Sequence, residues 1–272
     1  MIWSNSSKPC ANTPRSWSKV PTEAVPLIHP QWPAPANVGA LCTTREGGIS
    51  QPPWDSLNLG GHVGDNPEHV QKNRLRLAHQ AGLTANRIGW LNQVHGTEVA
   101  ELTPGNAQTI PDADASYTRH PGIACAILTA DCLPVILADQ AGTVVGAAHA
   151  GWRSLCGGVL ENLIAAMAVD PTELIAWLGP AIGPQKFEVG PEVREAFVAK
   201  NPESGGAFSS EGAREGHYLA DIYHLARIRL AAAGLVNVHG GGFCTVSDEA
   251  RFYSYRRDGQ TGRMATLVWL EK

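Results

Sequence analysis

The six cysteines of this 272-residue chain, Cys10, Cys42, Cys125, Cys132, Cys156 and Cys244, include no C-x-x-C pair. That scatter speaks against a disulfide framework or a zinc ribbon, and it fits a reducing cytoplasm. No segment approaches the roughly 20 consecutive apolar residues of a membrane span, and the N-terminal stretch lacks the continuous apolar core of a signal peptide. The chain is therefore expected to be soluble and unexported. Neither sign of charge dominates: 21 Lys and Arg stand against 25 Asp and Glu, for a formal net charge of -4. Such a balance offers no general attraction to nucleic acid or an anionic membrane, and it points to a small-molecule partner. Also missing are the G-x-S-x-G elbow, the G-x-x-x-x-G-K-[ST] phosphate loop and the G-x-G-x-x-G fingerprint. The ten histidines form no H-x-H pair, so a cluster of several copper ions lacks its imidazoles.

What the chain does have is apolar content, at 43% hydrophobic residues enough for a large core. Residues 1–27 are rich in Ser, Pro, Thr and Asn without apolar periodicity and read as a loose extension. No later break in composition marks a second domain, so 28–272 is expected to be one. Short apolar runs alternate there with amphipathic segments. "NVGALCTT", "RIGWLNQVHG", "IACAILTADC", "LPVILAD", "VVGAAHA", "ELIAWLGPAIG", "VHGGGFCT" and "ATLVWL" read as strands. "NPEHVQKNRLRLAHQAG", "GPEVREAFVAK" and "LADIYHLARIRLAAAG" read as helices, the last capped by Asp221. Another helix is expected after His149, with Ser154 as its cap and Val159, Leu160, Leu163, Ile164 and Met167 on one face. Residues 201–217 read as an exposed loop. The fold class is mixed α/β, and the hairpins exclude a purely parallel doubly wound sheet.

The segment "TADCLPVILADQAGTVVGAAHAGWRSL" interrupts an apolar run with Asp131, Cys132 and His149. A hairpin turning at Gln140 to Gly142 brings Cys132 and His149 to the same open end. One register sets Cys132 opposite Ala150, with thiol and imidazole on opposite faces; a slip of one residue sets it opposite His149. The turn alone does not choose between them. His95 in "NQVHGTEV" ends another expected strand beside Gly96. A cysteine beside a strand is ordinarily a small core residue, and a strand-end histidine is ordinarily a satisfied polar one. The neighbouring Gly96 and Gly151 shift the balance, because they permit tight turns and close approach. One thiolate and two imidazoles with an open fourth position would make a catalytic zinc site.

Arg45 in "TTREGGIS" and Arg153 in "HAGWRS" are candidates for holding an anion, against the ordinary alternative of surface arginines. Arg256 and Arg257 could reach a phosphate as well, although a charged turn is their default. Cys244 is expected in the core.

With these residues in view, the chain resembles the laccase-domain family, also called YfiH-like or "polyphenol oxidase", whose better-supported label is purine nucleoside phosphorylase. The resemblance runs from about Leu27 to the C-terminus, on "TTREGGIS", "LNLGGHVGD", "NQVHG", "DADA", "TADCLPV", "AAHAGWR", "WLGPAIGP", "FEVG" and "YSYRRDGQTGRMA". It implies a single-domain, four-layer α/β/β/α fold and a zinc site on His95, Cys132 and His149; such Cys/His donors also suit copper. It further implies phosphorolysis of adenosine, inosine and S-methyl-5'-thioadenosine, with adenosine deamination. The family often has glycine where this chain has Ser154, a departure that leaves the metal ligands untouched.

On that resemblance Arg45 is the first candidate for holding phosphate and Arg153 the second, while Asp131 is a ligand-orienting group, a proton carrier or simply a turn carboxylate. The resemblance also permits a rival: an amidase editing cell-wall precursors, with Cys132 as nucleophile and His149 as base. A third reading is a non-catalytic module binding metal or nucleotide.

Overall fold

The computed structural model describes residues 24–272, so the expected extension up to residue 23 lies outside the described residues. Val25 is already buried and Leu27 pairs with Thr43, so the folded part reaches slightly ahead of the boundary expected at residue 28.

Two sheets form the centre. One has five strands in the order β1 (Leu27–Ile28), β2 (Val38–Thr43), β14 (Met264–Leu270), β6 (Ala124–Thr129) and β3 (Ile88–Gly89). The other has six, in the order β13 (Val238–Gly240), β9 (Leu174–Leu178), β7 (Leu133–Asp139), β8 (Val145–Ala150), β5 (Ala115–Thr118) and β4 (Val99–Glu101). A small third sheet joins β10 (Glu188–Val189), β12 (Tyr218–Ala220) and β11 (Phe208–Ser209).

Side-chain alternation explains how the large sheets stack. Cys125, Ile127 and Val268 of the first sheet pack against Ile136, Ala138, Val145, Ala147 and Trp177 of the second in one dry layer. The opposite face of the first sheet, Ala124, Ala126 and Leu267, is covered through Leu77 and Ala78 of α1 (Pro67–Gln80). The opposite face of the second, Leu133, Val135 and Leu137, is covered by α3 (Val159–Met167), α4 (Pro191–Lys200) and α5 (Ile222–Ala232). The architecture is the expected four-layer α/β/β/α, with strands of both directions.

Local chemistry sets the helix starts. Asn66 accepts from the Glu68 amide ahead of Pro67, and Asp221, the cap expected from sequence, accepts from the His224 amide at 3.0 Å. The helix after His149 differs from expectation. Gly151 caps α2 (Trp152–Gly157), Ser154 is buried inside it, and Gly158 at φ 110° breaks the path before α3 begins. The five apolar residues predicted for one face all belong to α3 and are buried. Residues 201–217 are not simply an exposed loop, because they carry a 3-10 turn (Pro202–Ala207) with buried Ser204 and Ala207, followed by β11.

Strands that follow one another in sequence also part company. β6 belongs to the first sheet and β7 to the second, so the chain crosses between sheets at Ala130–Cys132. It makes the same crossing between β3 and β4, which is why the strand expected over 87–96 shrinks to Ile88–Gly89. Since β3 runs parallel to β6, both crossings leave the first sheet at the same end.

On the first sheet, Gly39 lies opposite Trp269, and a Cβ there would fall 2.2 Å from the indole ring. Gly39→Ala should therefore displace the ring and cost about 1–3 kcal/mol of stability, read as a lower urea midpoint with shifted tryptophan emission.

Candidate metal centre and its cleft

Each crossing carries one of the predicted ligands. His95 sits between β3 and β4, Cys132 immediately before β7, and His149 near the end of β8. The pairing register is neither of those weighed from the turn: Leu133 faces Ala150 and Pro134 faces His149. The reason is a longer turn, in which Asp139 accepts from the amides of Thr143 and Val144 at 2.7 and 3.0 Å and sets that end of the hairpin. In this register His149 lies opposite Pro134, two residues beyond Cys132, and period-two alternation puts thiol and imidazole on one face. One atom from each of His95, Cys132 and His149 lies within 4.8 Å of the others, the only such three-donor group among the described residues. The two imidazoles meet edge to face, with centroids 4.9 Å apart.

A carboxylate that sequence reasoning passed over holds this arrangement. Asp114 is fully buried; its Oδ1 lies 2.8 Å from His149 Nδ1 and accepts from the His95 amide at 3.1 Å. Its Oδ2 accepts from the amides of Val94 and Gly96 at 3.1 and 2.6 Å. Three consecutive amides thus wrap one carboxylate, and His95 adopts φ 61°, a left-handed conformation unusual for a residue with a Cβ. With Nδ1–H given to Asp114, Nε2 is the nitrogen His149 has free to ligate a metal. The available signal was the "DADA" motif, in which an aspartate stands at the start of a buried strand.

Asp131 turns out to be a turn carboxylate. It adopts φ 88°, and it accepts from the Thr245 hydroxyl and from the Arg256 amide at 2.6 Å each. It holds the sheet crossing that presents Cys132. Gly151 is required for space, because a Cβ there would lie 3.0 Å from Cys132 Sγ and 3.4 Å from the His95 ring.

The donor chemistry fits a metal. Burial alone would raise the Cys132 thiol, but the adjoining His149 charge and hydrogen bonds with both histidines outweigh it and bring it down to about 6. Burial likewise opposes a charge on His149, and the Cys132 thiolate and Asp114 override it. A thiolate and two imidazoles, one oriented by a carboxylate, form a set suited to zinc with a position left for another ligand.

Two cavities meet at the trio, sharing His95, Ala130, Cys132 and Tyr255. One, of about 200 Å³, is walled by Trp152, Phe187, Ile182 and Ile222, with Arg153, Arg256 and Asp131. The other, of about 460 Å³, includes His62, Gln93, Thr129, His149 and Arg263. Arg153 rests on Trp152, 4.4 Å from its ring. Arg45 lines neither cavity: its guanidinium donates to the carbonyls of Asp55 and Glu249, pairs with the Asp55 carboxylate at 3.5 Å and lies 4.9 Å over Tyr253. Cys244, expected in the core, is only half-buried and accepts from the Gly183 amide at 3.3 Å.

This is a two-sheet sandwich with a His-Cys-His group at one end, and known proteins resemble the chain in sequence and fold. A family described as multi-copper polyphenol oxidoreductase laccase matches residues 39–271, and the chain belongs to this laccase-domain, YfiH-like family. It is similar to a purine nucleoside phosphorylase of Pseudomonas aeruginosa, 57% identical over 90% of this chain and 98% of that one. Purine nucleoside phosphorylase YfiH of Escherichia coli is 54% identical over the same shares. A crystal structure of a Neisseria meningitidis protein superposes with a TM-score of 0.86 at 52% identity, covering 90% of this chain and 99% of that one.

Asp114→Asn should weaken zinc binding about 10- to 100-fold, measured by competition with a chelating dye, because it loosens the His149 ring and the His95 turn together. In metal-free protein at neutral pH, iodoacetamide should label Cys132 and spare Cys42 and Cys125, whose thiols burial pushes up to about 12. Added zinc should suppress the Cys132 adduct in the mass spectrum.

Proposed function

We infer that the chain is a zinc-dependent purine nucleoside phosphorylase acting on adenosine, inosine and S-methyl-5'-thioadenosine, with adenosine deamination as a second activity. The products of phosphorolysis are the free base and ribose 1-phosphate or its methylthio analogue. The observation that carries the reading is a cleft of two cavities meeting at the trio, one walled by Trp152, Phe187 and aliphatic side chains with Arg153 and Arg256, the other lined by polar side chains and Arg263. A reaction between a flat apolar base on a sugar and a small anion needs such a division. Relatives named as purine nucleoside phosphorylases, similar over 90% of the chain, support it and point to an enzyme of that kind.

In phosphorolysis a phosphate oxygen bonds to the anomeric carbon while the bond to the purine nitrogen breaks, its electron pair leaving with the base. Trp152 and Phe187 supply apolar faces for the purine, and Arg153 beside them stabilises negative charge developing on it. Arg45 serves the substrate indirectly in this reading, bracing Tyr253 two residues from the Tyr255 of the cleft. Held by His95, Cys132 and His149, zinc would supply positive charge for developing anions and make a water more acidic for attack on the adenine carbon that bears the amino group. The same donors accept copper, so the native ion is decided by availability as well as affinity. A cytoplasmic location belongs to this reading; the relatives are bacterial, and among the described residues no helix is long and apolar enough to cross a membrane.

One observation favours a second reading. Cys132, His149 and Asp114 stand in the order nucleophile, base and orienting carboxylate, with the thiol already depressed. That order suits the amidase on peptidoglycan precursors, whose mark would be a thioester on Cys132 formed without metal. Binding of nucleoside or metal with no turnover would instead favour a non-catalytic module.

Cys132→Ala should lose zinc, phosphate-dependent base release and adenosine deamination together, followed by HPLC on metal-quantified protein. Full turnover by the metal-free variant would sink the scheme.

A further inference from the structure

Both cavities that meet at the trio carry arginine. In the aromatic one Arg153 and Arg256 stand with the Asp131 carboxylate, which an anion would have to face. No carboxylate lines the larger one, where the fixed cation is Arg263.

Arg263 is half-buried, and its Nη1 donates to the carbonyls of Thr261 and Gly262 at 3.0 Å each. Among the described residues its guanidinium has no carboxylate within ion-pair distance, unlike Arg45, Arg214, Arg229, Arg251 and Arg257. Burial lowers its pKa, opposed by the nearby Cys132 and Asp131. A guanidinium drawn out of water without a contacting counter-ion is unfavourable, and the free edge of its planar fork matches a tetrahedral oxyanion.

The neighbours agree. Burial, and then the charges of Arg263 and Arg74, hold the His62 imidazole toward its neutral form, able to donate to an oxyanion. Thr129 lines the same cavity, and its buried hydroxyl has no hydrogen-bond partner among the described residues. Gln93 is not available, because its amide group is spent on both backbone groups of Leu128 at 2.8 Å each.

We propose that Arg263, flanked by His62 and Thr129, seats the phosphate co-substrate, across the metal trio from the aromatic cavity that takes the purine. The identity of the anion rests on the phosphorylase reading; the anion site itself does not. Arg263 stays charged throughout and orients the attacking oxygen. Tyr255, 62% exposed and shared by both cavities, forms part of the boundary between the two substrates.

The test measures inorganic phosphate binding by calorimetry, and the KM for phosphate against that for inosine, on zinc-loaded protein. Arg263→Met should weaken phosphate binding and raise its KM ten- to a hundredfold while the KM for inosine moves less than threefold. His62→Gln should raise the phosphate KM severalfold with the same split. Thr129→Val should lower phosphate affinity without lowering the melting temperature, since no protein partner of the hydroxyl is lost. Unchanged phosphate affinity in folded Arg263→Met, or no phosphate binding by the wild type, overturns the proposal. Phosphate binding that depends on Arg263, in a protein that turns over no nucleoside, upholds the anion site and refutes the phosphorylase reading instead.

Discussion

One buried carboxylate fixes the centre of this molecule. Asp114 joins the amides of residues 94–96 to the ring of His149, so two candidate metal ligands from distant parts of the chain share a single support. A carboxylate withdrawn from water is tolerable only when its oxygens are well occupied, and here four donor groups surround it. Burial opposes the charge, yet the hydrogen bonds from His149 and from the Gly96 and Val94 amides prevail and keep Asp114 ionised below the ordinary carboxylate range. The left-handed turn at His95 is the backbone cost of that occupancy.

The sandwich supplies the rest. Because two chain crossings between the sheets emerge at the same end, residues that are distant in sequence arrive beside the close of β8 without long loops. Turns that must bend sharply are where polar side chains and unusual backbone angles can be placed without disturbing the dry layer between the sheets. Chemistry and core are thereby separated: Ile127, Ile136 and Val268 hold the sheets together, while the rim carries the donors.

Much of this was legible in the chain. The strand over 133–139 and the helices after Asn66 and Asp221 follow from alternation and caps, and the trio stands out because glycines flank its histidines. Three features were not legible, each for a physical reason. Periodicity reports that a segment is a strand but not which sheet it joins, so the crossing at Ala130–Cys132 was invisible. The hairpin register depended on how Asp139 folds the turn, a hydrogen-bonding choice rather than a pattern. Asp114 looks like any strand-end aspartate until its partners converge. The arginines show the same limit, for Arg45 stands in a conspicuous glycine-rich stretch yet spends its guanidinium on Asp55, Glu249 and Tyr253, whereas Arg263 drew no notice and faces the cleft.

The three donors differ in depth: His95 is exposed, Cys132 half-buried and His149 only 3% exposed. They form a ladder from solvent inward. A metal ion bound here would give up its hydration shell rung by rung, to the outer imidazole first and the carboxylate-held one last. A chelator arriving from solvent would likewise meet His95 before the thiolate. The outermost rung is thus the left-handed turn whose amide Asp114 holds.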